Sequence, residues 1–273
     1  MPLLVLLSVA LCFVAWLLAE PAYVRWRRAR IAAHPFPAAW RSVLHRRVPY
    51  FRRLPVNLQL QLKRHMLVFL AEKPFIGCAG MKVTDEVRVT IAAQACLLLL
   101  NRPPHYFPGL KQILVYPGAF VVNRVHTGSA GVLQEQRQVL AGESWSQGQV
   151  ILSWEDTLEG AAVSDDGRNV VLHEFAHQLD QETGAANGAP RLAGPQRYER
   201  WAQVLNREFE QLRALADSSL PSLLNPYGAT DPAEFFAVAT EVFFEQGTQL
   251  AAHSPALYAE LRDFYRVDPL SWA

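Results

Sequence analysis

The hydrophobic pattern opens with a block rather than a period: residues 2–19 (PLLVLLSVALCFVAWLLA) carry no charge. Eighteen such residues are just enough for a helix to cross the hydrocarbon core of a bilayer. Farther on the pattern becomes periodic. Pro55 suits a first helical position, and Leu58, Leu62, Leu67 and Leu70 recur at helical spacing, which predicts a helix from Leu54. A second helix is expected from Thr84 and Asp85 through the apolar stretch that ends at Leu100. Short apolar runs at 113–116, 119–122 and 150–154, bounded by Pro, Gly or polar residues, predict strands. The run 150–154 reads equally as a core strand or as an edge along which an extended substrate could pair. Residues 170–180 read as a largely buried helix, 231–245 as a further helix, and 184–195 (GAANGAPRLAGP) as an inert surface loop, with a mobile lid as the alternative. No internal repeat is visible.

Composition narrows the class. With 273 residues, 51% hydrophobic and 19% charged, the chain is a folded globular protein, which excludes low-complexity, collagen-like and disordered classes. Beyond the apolar block about 250 residues remain, enough for one domain with a sizeable core. Cys12, Cys78 and Cys96 are odd in number and lack CxxC spacing, so neither a disulfide framework nor a thiolate metal site can be built from them.

The net charge of +1 hides an asymmetry. Residues 21–71 hold nine arginines from Arg25 to Arg53, then Lys63 and Arg64, with no acid; setting Glu20 aside, the rest carries −9. A mildly acidic bulk does not suit a nucleic-acid binder. Arg25, Arg27, Arg28 and Arg30 directly follow the apolar block, and such clusters stay on the cytoplasmic side. The expected layout is a membrane anchor at 1–20, a basic juxtamembrane linker at 21–53, and the main domain at 54–273 on the cytoplasmic face of the inner membrane. In the linker, Trp40, Tyr50 and Phe51 would lie near headgroups, or the segment would simply be solvated. The rival is a cleaved signal peptide and an exported domain, though no positive residue precedes the block. A hydrophobic helix packed on the domain is the third reading.

The chemistry is concentrated in VVLHEFAHQLD, residues 170–180. On a helix, His173 and His177 project from one face a turn apart and can share one tetrahedral Zn²⁺, while Glu174 stays free to act as a base. Two histidines and a glutamate on a buried helix need partners, and a metal supplies them. A catalytic site needs a third protein ligand and an open position. Asp180 and Thr183 stand where the longer HExxHxxGxxH pattern would place Gly and His, which argues against a metzincin. The segment 225–245 offers Glu234, Glu241 and Glu245. Glu234 is the first choice, although Asp231, Pro232 and Glu234 also form a helix-start signature. Glu241, two turns later, is an alternative ligand or a hydrogen-bond partner of a ligating imidazole. Tyr227, in Asn225-Pro226-Tyr227-Gly228, reads on its own as a turn residue. Asp180 either orients a ligand or solvates the helix end. His65, His105, His126 and His253 read as structural or surface residues.

Together HEFAHQLD, YGATDPAEFFAVATEVFFE, the terminal FYRVDPL and the upstream SWSQGQVILSWED resemble the Mlc titration factor A family of zinc peptidases. The resemblance spans roughly residues 65–270. It implies an α+β fold, a mainly helical, gluzincin-like zincin domain with a small β-sheet, and one Zn²⁺ per chain. It also implies His173, His177 and Glu234 as ligands, Glu174 as catalytic base and Tyr227 at the catalytic centre. Aminopeptidase-type hydrolysis of short peptides or arylamides is the implied activity, with a peptide as substrate. The alternative is a regulatory binding protein that sequesters a partner such as a transcriptional repressor. The apolar block and the arginine cluster lie outside the family's peptidase pattern.

Overall fold

A computed structural model of the chain describes residues 2–127, 133–140, 142–145, 148–184 and 186–272. The apolar block becomes the first half of α1 (Pro2–Ala32), a single helix that continues through Pro21 into the arginine cluster. Where it reaches the domain it is held by charge. The Arg28 guanidinium donates to both carboxylate oxygens of Glu72, at 2.8–3.2 Å, and lies 4.8 Å from the centre of the Tyr106 ring.

The segment expected to be a linker is structured. It forms α2 (Ala38–Arg47) and a 3-10 turn (Pro49–Arg52), which bury Val43, Leu44, Val48, Tyr50 and Phe51 in the core. Tyr50 and Phe51 are therefore not placed to meet headgroups, while Trp40 donates from Nε1 to Asp85. The charge density of this stretch masked its apolar spacing, because the compensating acids are distant in sequence: Arg46 and Arg47 both pair with Glu86.

α3 (Val56–Glu72) starts just after Pro55 and buries Leu58, Leu62 and Leu70 as expected. α4 (Asp85–Leu97), capped by the Thr84 hydroxyl, is buried on nearly every side and forms the centre of the core. Its predicted extension to Leu100 is a turn instead.

The four-stranded sheet has the order β1 (Phe75–Gly77), β2 (Gln112–Tyr116), β6 (Gln149–Ser153), β5 (Gly142–Trp145); the first three are parallel and β5 is antiparallel to β6. A separate hairpin pairs β3 (Phe120–Thr127) with β4 (Leu133–Leu140). The strand expected at 119–122 is thus the start of a longer one. β6 ends at Ser153 because that residue's hydroxyl caps α5 (Trp154–Ala162), which takes Trp154 into a helix. Paired on both sides, β6 is a core strand, and the edges of the sheet are β1 and β5.

The remaining helices, α6 (Val170–Asp180), α7 (Pro195–Asp217), α8 (Pro232–Glu245), α9 (Gly247–His253) and α10 (Pro255–Tyr265), complete a mainly helical α+β domain with a small mixed sheet. The loop after α6 is tied down near its middle. Gly188 N–H donates to Asp180 Oδ2 at 2.7 Å, and Gly188 C=O accepts from Trp201 Nε1 at 2.8 Å. A Cβ at Gly188 would come within 2.3 Å of the Pro232 carbonyl oxygen, which couples this loop to the start of α8. Asp180 is fully buried and holds the loop, so neither expected role, ligand orientation or solvation of the helix end, describes its contacts. These ties favour the surface-loop reading of 184–195 over the lid; residue 185 lies outside the described residues.

Candidate metal centre

The site is built on α6, whose rotation is fixed by its apolar side. Leu172, Phe175, Ala176 and Leu179 are buried, and the Phe175 ring centre lies 4.8 and 5.7 Å from those of Phe107 and Phe69. Asn169 caps the helix, its Oδ1 accepting from Leu172 N–H at 3.0 Å. That leaves His173 and His177 facing a cleft, edge to face with ring centres 4.9 Å apart.

α8 packs across them. Asp231 Oδ1 accepts from the N–H groups of Ala233 and Glu234 at 2.9 and 3.0 Å, which starts the helix and puts Glu234 in its first turn. Glu234 Oε2 lies 3.0 Å from His173 Nε2 and 3.4 Å from His177 Nε2, and the two Nε2 atoms are 3.2 Å apart. Ligands 2.0–2.1 Å from a tetrahedral Zn²⁺ are about 3.3 Å from one another, so the three atoms fit such an ion. His173, His177 and Glu234 form the one group of three potential ligands found among the described residues.

Glu241 has a different place. Its Oε1 is 2.8 Å from His173 Nδ1, on the far side of the ring from Glu234, and its Oε2 accepts from the Asn169 backbone N–H. With Nδ1–H donated to Glu241, Nε2 of His173 keeps its lone pair for the cleft. Glu245, the third acid of this helix, turns away to Asn169 Nδ2 at 2.9 Å. Asn169 was not singled out by sequence reading; its position before the apolar run was the available signal.

The electrostatics invite a cation. Burial alone would lower the His173 pKa, but the Glu241 and Glu234 carboxylates outweigh it and raise it well above the usual value. Burial likewise pushes Glu234 up, and hydrogen bonds to His173 and His177 reverse this, holding it well below the normal carboxylate range. A negative charge fixed beside two imidazoles is what a divalent ion needs.

Glu174 is buried, and its Oε2 has no hydrogen-bond partner among the described residues. Burial raises its pKa to about 7, against the opposing pull of His173 and His177. Tyr227 sits on a 3-10 turn (Pro226–Ala229) set by Asn225 Oδ1, with its ring centre 6.0 Å from that of His173. Gly142 at the start of β5, which the sequence gave no reason to notice, lies directly against Glu174.

Two cavities, of about 510 and 380 Å³, meet at Gly142, His173, Glu174 and Tyr227. The first extends past Ser144, His177, Gln181 and Glu234, and the second past Asp156, Glu159 and Asn169. A larger cavity, about 910 Å³ around Arg102 and Arg266, contains none of the site residues. Elsewhere, His65 is buried with Nδ1 3.0 Å from the Tyr106 hydroxyl, and His105 and His253 are exposed. The His126 side chain lies outside what is described.

Known proteins are similar to the chain over most of its length. The family model for the glucose-regulated metallo-peptidase M90 matches residues 23–266. An uncharacterised protein of Synechocystis is 40% identical over 99% of this chain and 98% of its own length. Mlc titration factor A of Klebsiella pneumoniae is 33% identical over 82% of this chain and 84% of its own, and that of Cronobacter sakazakii 32% over 90% and 93%.

Proposed function

Since the chain belongs to the glucose-regulated metallo-peptidase M90 family, we propose that it is a zinc peptidase of aminopeptidase type with a zincin fold, acting on short peptides and aminoacyl arylamides. The observation that carries this reading is the convergence of His173 Nε2, His177 Nε2 and Glu234 Oε2 beside the buried carboxyl of Glu174. Two imidazoles and one carboxylate are a zinc donor set, and they leave a net charge of +1 on the site.

When bound, zinc supplies Lewis acidity that polarises a carbonyl and acidifies water. The protein's own residues do the rest. Glu174, ionised, takes a proton from the attacking water and returns it to the leaving amine. Burial of this carboxyl raises its affinity for a proton, which suits a group that must hold one between the two halves of the transfer. The Tyr227 hydroxyl, at the mouth of the same cleft, donates to the developing oxyanion. An extended peptide adds as a further strand along β5, the edge beside α6. The cleft is bordered by Glu143, Asp156, Glu159 and Asp231, an acidic rim that favours a free amino terminus.

In this reading α1 anchors the catalytic domain to the cytoplasmic face of the membrane. Its span Leu6–Ala32 is long and apolar enough to cross, and none of its most apolar window is buried inside the domain. The match to the relative aligned over 271 residues extends across this segment, and the continuity of α1 into its Glu72 contacts favours a retained anchor over a cleaved signal.

The test is Glu174→Gln in the zinc-loaded enzyme. Turnover should fall by about 10²–10⁴-fold with zinc still bound stoichiometrically; full turnover in the variant would remove Glu174 as the base. A second reading is favoured by the name of the relatives, titration factors of Mlc: a chain that uses this fold to bind a regulatory protein. It predicts a protein complex that survives Glu174→Gln and a wild type without turnover on any aminoacyl or peptide substrate.

A further inference from the structure

β5 lies in step with the motif helix. On one face of the strand, Ser144 Oγ accepts from Gln178 Nε2 at 2.7 Å and from Gln181 Nε2 at 3.4 Å. Two residues earlier on the same face, Gly142 lies against Glu174 and Val170. A Cβ at position 142 would sit 2.6 Å from Glu174 Oε1, 2.6 Å from Val170 Cγ2 and 2.7 Å from Glu174 Cγ. All three distances are well inside van der Waals contact. Gly142 is not among the residues with positive φ, so its backbone would accept an L-residue and the demand is for space alone. Of the atoms in the way, the Glu174 carboxyl is the end of a rotatable side chain, whereas Val170 is a stiff β-branched residue seated in α6. None of the three belongs to His173, His177 or Glu234.

Resting on the reading of Glu174 as base, we infer that Gly142 is a positioning residue: the bare start of β5 is the wall that sets where the Glu174 carboxyl lies, so any side chain there displaces the base and spares the metal-binding atoms. The role is separable from zinc binding, because the clash falls on Glu174 and Val170 and on none of the three metal-binding residues.

The experiment compares wild type, Gly142→Ala, Val170→Ala, Gly142→Ala/Val170→Ala and Glu174→Gln for kcat, KM, zinc stoichiometry and the absorption bands of the cobalt-substituted protein. For Gly142→Ala we expect kcat to fall at least tenfold, KM to stay within about threefold, and one zinc and unchanged cobalt bands to remain. A crystal structure should show the Glu174 carboxyl moved by about 1 Å or more. Val170→Ala should keep kcat within about threefold. If Gly142→Ala does not fold, the double variant serves, since it removes Val170 Cγ2 and leaves the encounter with Glu174; its kcat should still be depressed. Wild-type kcat in whichever of the two folds overturns the inference, as does loss of zinc in step with activity. Full activity in Glu174→Gln would instead sink the parent reading, whatever Gly142→Ala does.

Discussion

Glu241 shows how far a single residue's role depends on which atoms it meets. Its carboxylate accepts at both ends, from His173 Nδ1 at 2.8 Å and from the Asn169 N–H that opens α6. A glutamine can accept at one of these places only. With its oxygen toward Asn169, its NH₂ faces Nδ1 and forces the His173 proton onto Nε2, the atom needed for metal. With its oxygen toward His173, it sets two donors against each other at the helix start. Glu241→Gln should therefore weaken zinc binding by about 10–100-fold, read by competition with a chelating dye; unchanged affinity would reduce Glu241 to a packing role. At this scale the sequence was most legible where spacing is diagnostic. HExxH dictates two imidazoles on one face of a helix, and the structure brings them together with Glu234. Spacing could not separate Glu234 from Glu241, because both lie on nearly the same side of α8 and only its crossing with α6 decides which reaches Nε2. Gly142 was illegible for a stronger reason: a missing side chain has no pattern, and its importance lies in what stands opposite.

Among elements, α3 carries the clearest consequence for stability. Its buried face includes His65, whose Nδ1 meets the Tyr106 hydroxyl and whose Nε2 has no partner among the described residues. Burial lowers its pKa from 6.5 to about 4. The unfolded chain therefore binds a proton at a higher pH than the folded one. Above about pH 6.5 neither state is protonated and His65 contributes no pH dependence; as pH falls from 6.5 to 4, protonation favours the unfolded state and stability declines. The loss should reach about 3 kcal/mol by pH 4. His65→Gln keeps an acceptor for Tyr106 and removes the titration, so its denaturant midpoint should fall less steeply over this window. Parallel curves for the two proteins would place the acid sensitivity elsewhere. The legibility of elements followed their periodicity. α3, α4, α6 and α8 announced themselves through apolar spacing, helped at α4 and α8 by caps at Thr84 and Asp231. α2 did not, since its arginines find Glu86 some 40 residues away. β5 was equally hidden, because four residues in an edge strand are too few to show alternation.

At the scale of the whole molecule, α1 runs as one helix from an exposed apolar half to a half that packs on the domain. Its first half is exposed and apolar, while its last turns place Ile31 and Ala32 against the core and pair Arg28 with Glu72 in a bidentate contact only partly open to solvent. If the first half is embedded in a bilayer, the domain hangs from the second half of this helix, and its orientation to the membrane depends on the contact of α1 with α3 and Tyr106. Two truncations separate the roles. The full chain should stay with the membrane fraction after an alkaline wash, whereas a fragment starting at residue 21 should be soluble, zinc-loaded and stable. A fragment starting at residue 31 also loses the bidentate pair and the cation–π contact, each worth about 0.5–1 kcal/mol. It should melt about 2–6 °C below the longer fragment. Equal melting temperatures would mean that the second half of α1 rests on the domain without stabilising it. Release of the full chain by the wash would return the apolar half to the role of a peripheral helix, and the catalytic domain would then need another route to the membrane or none.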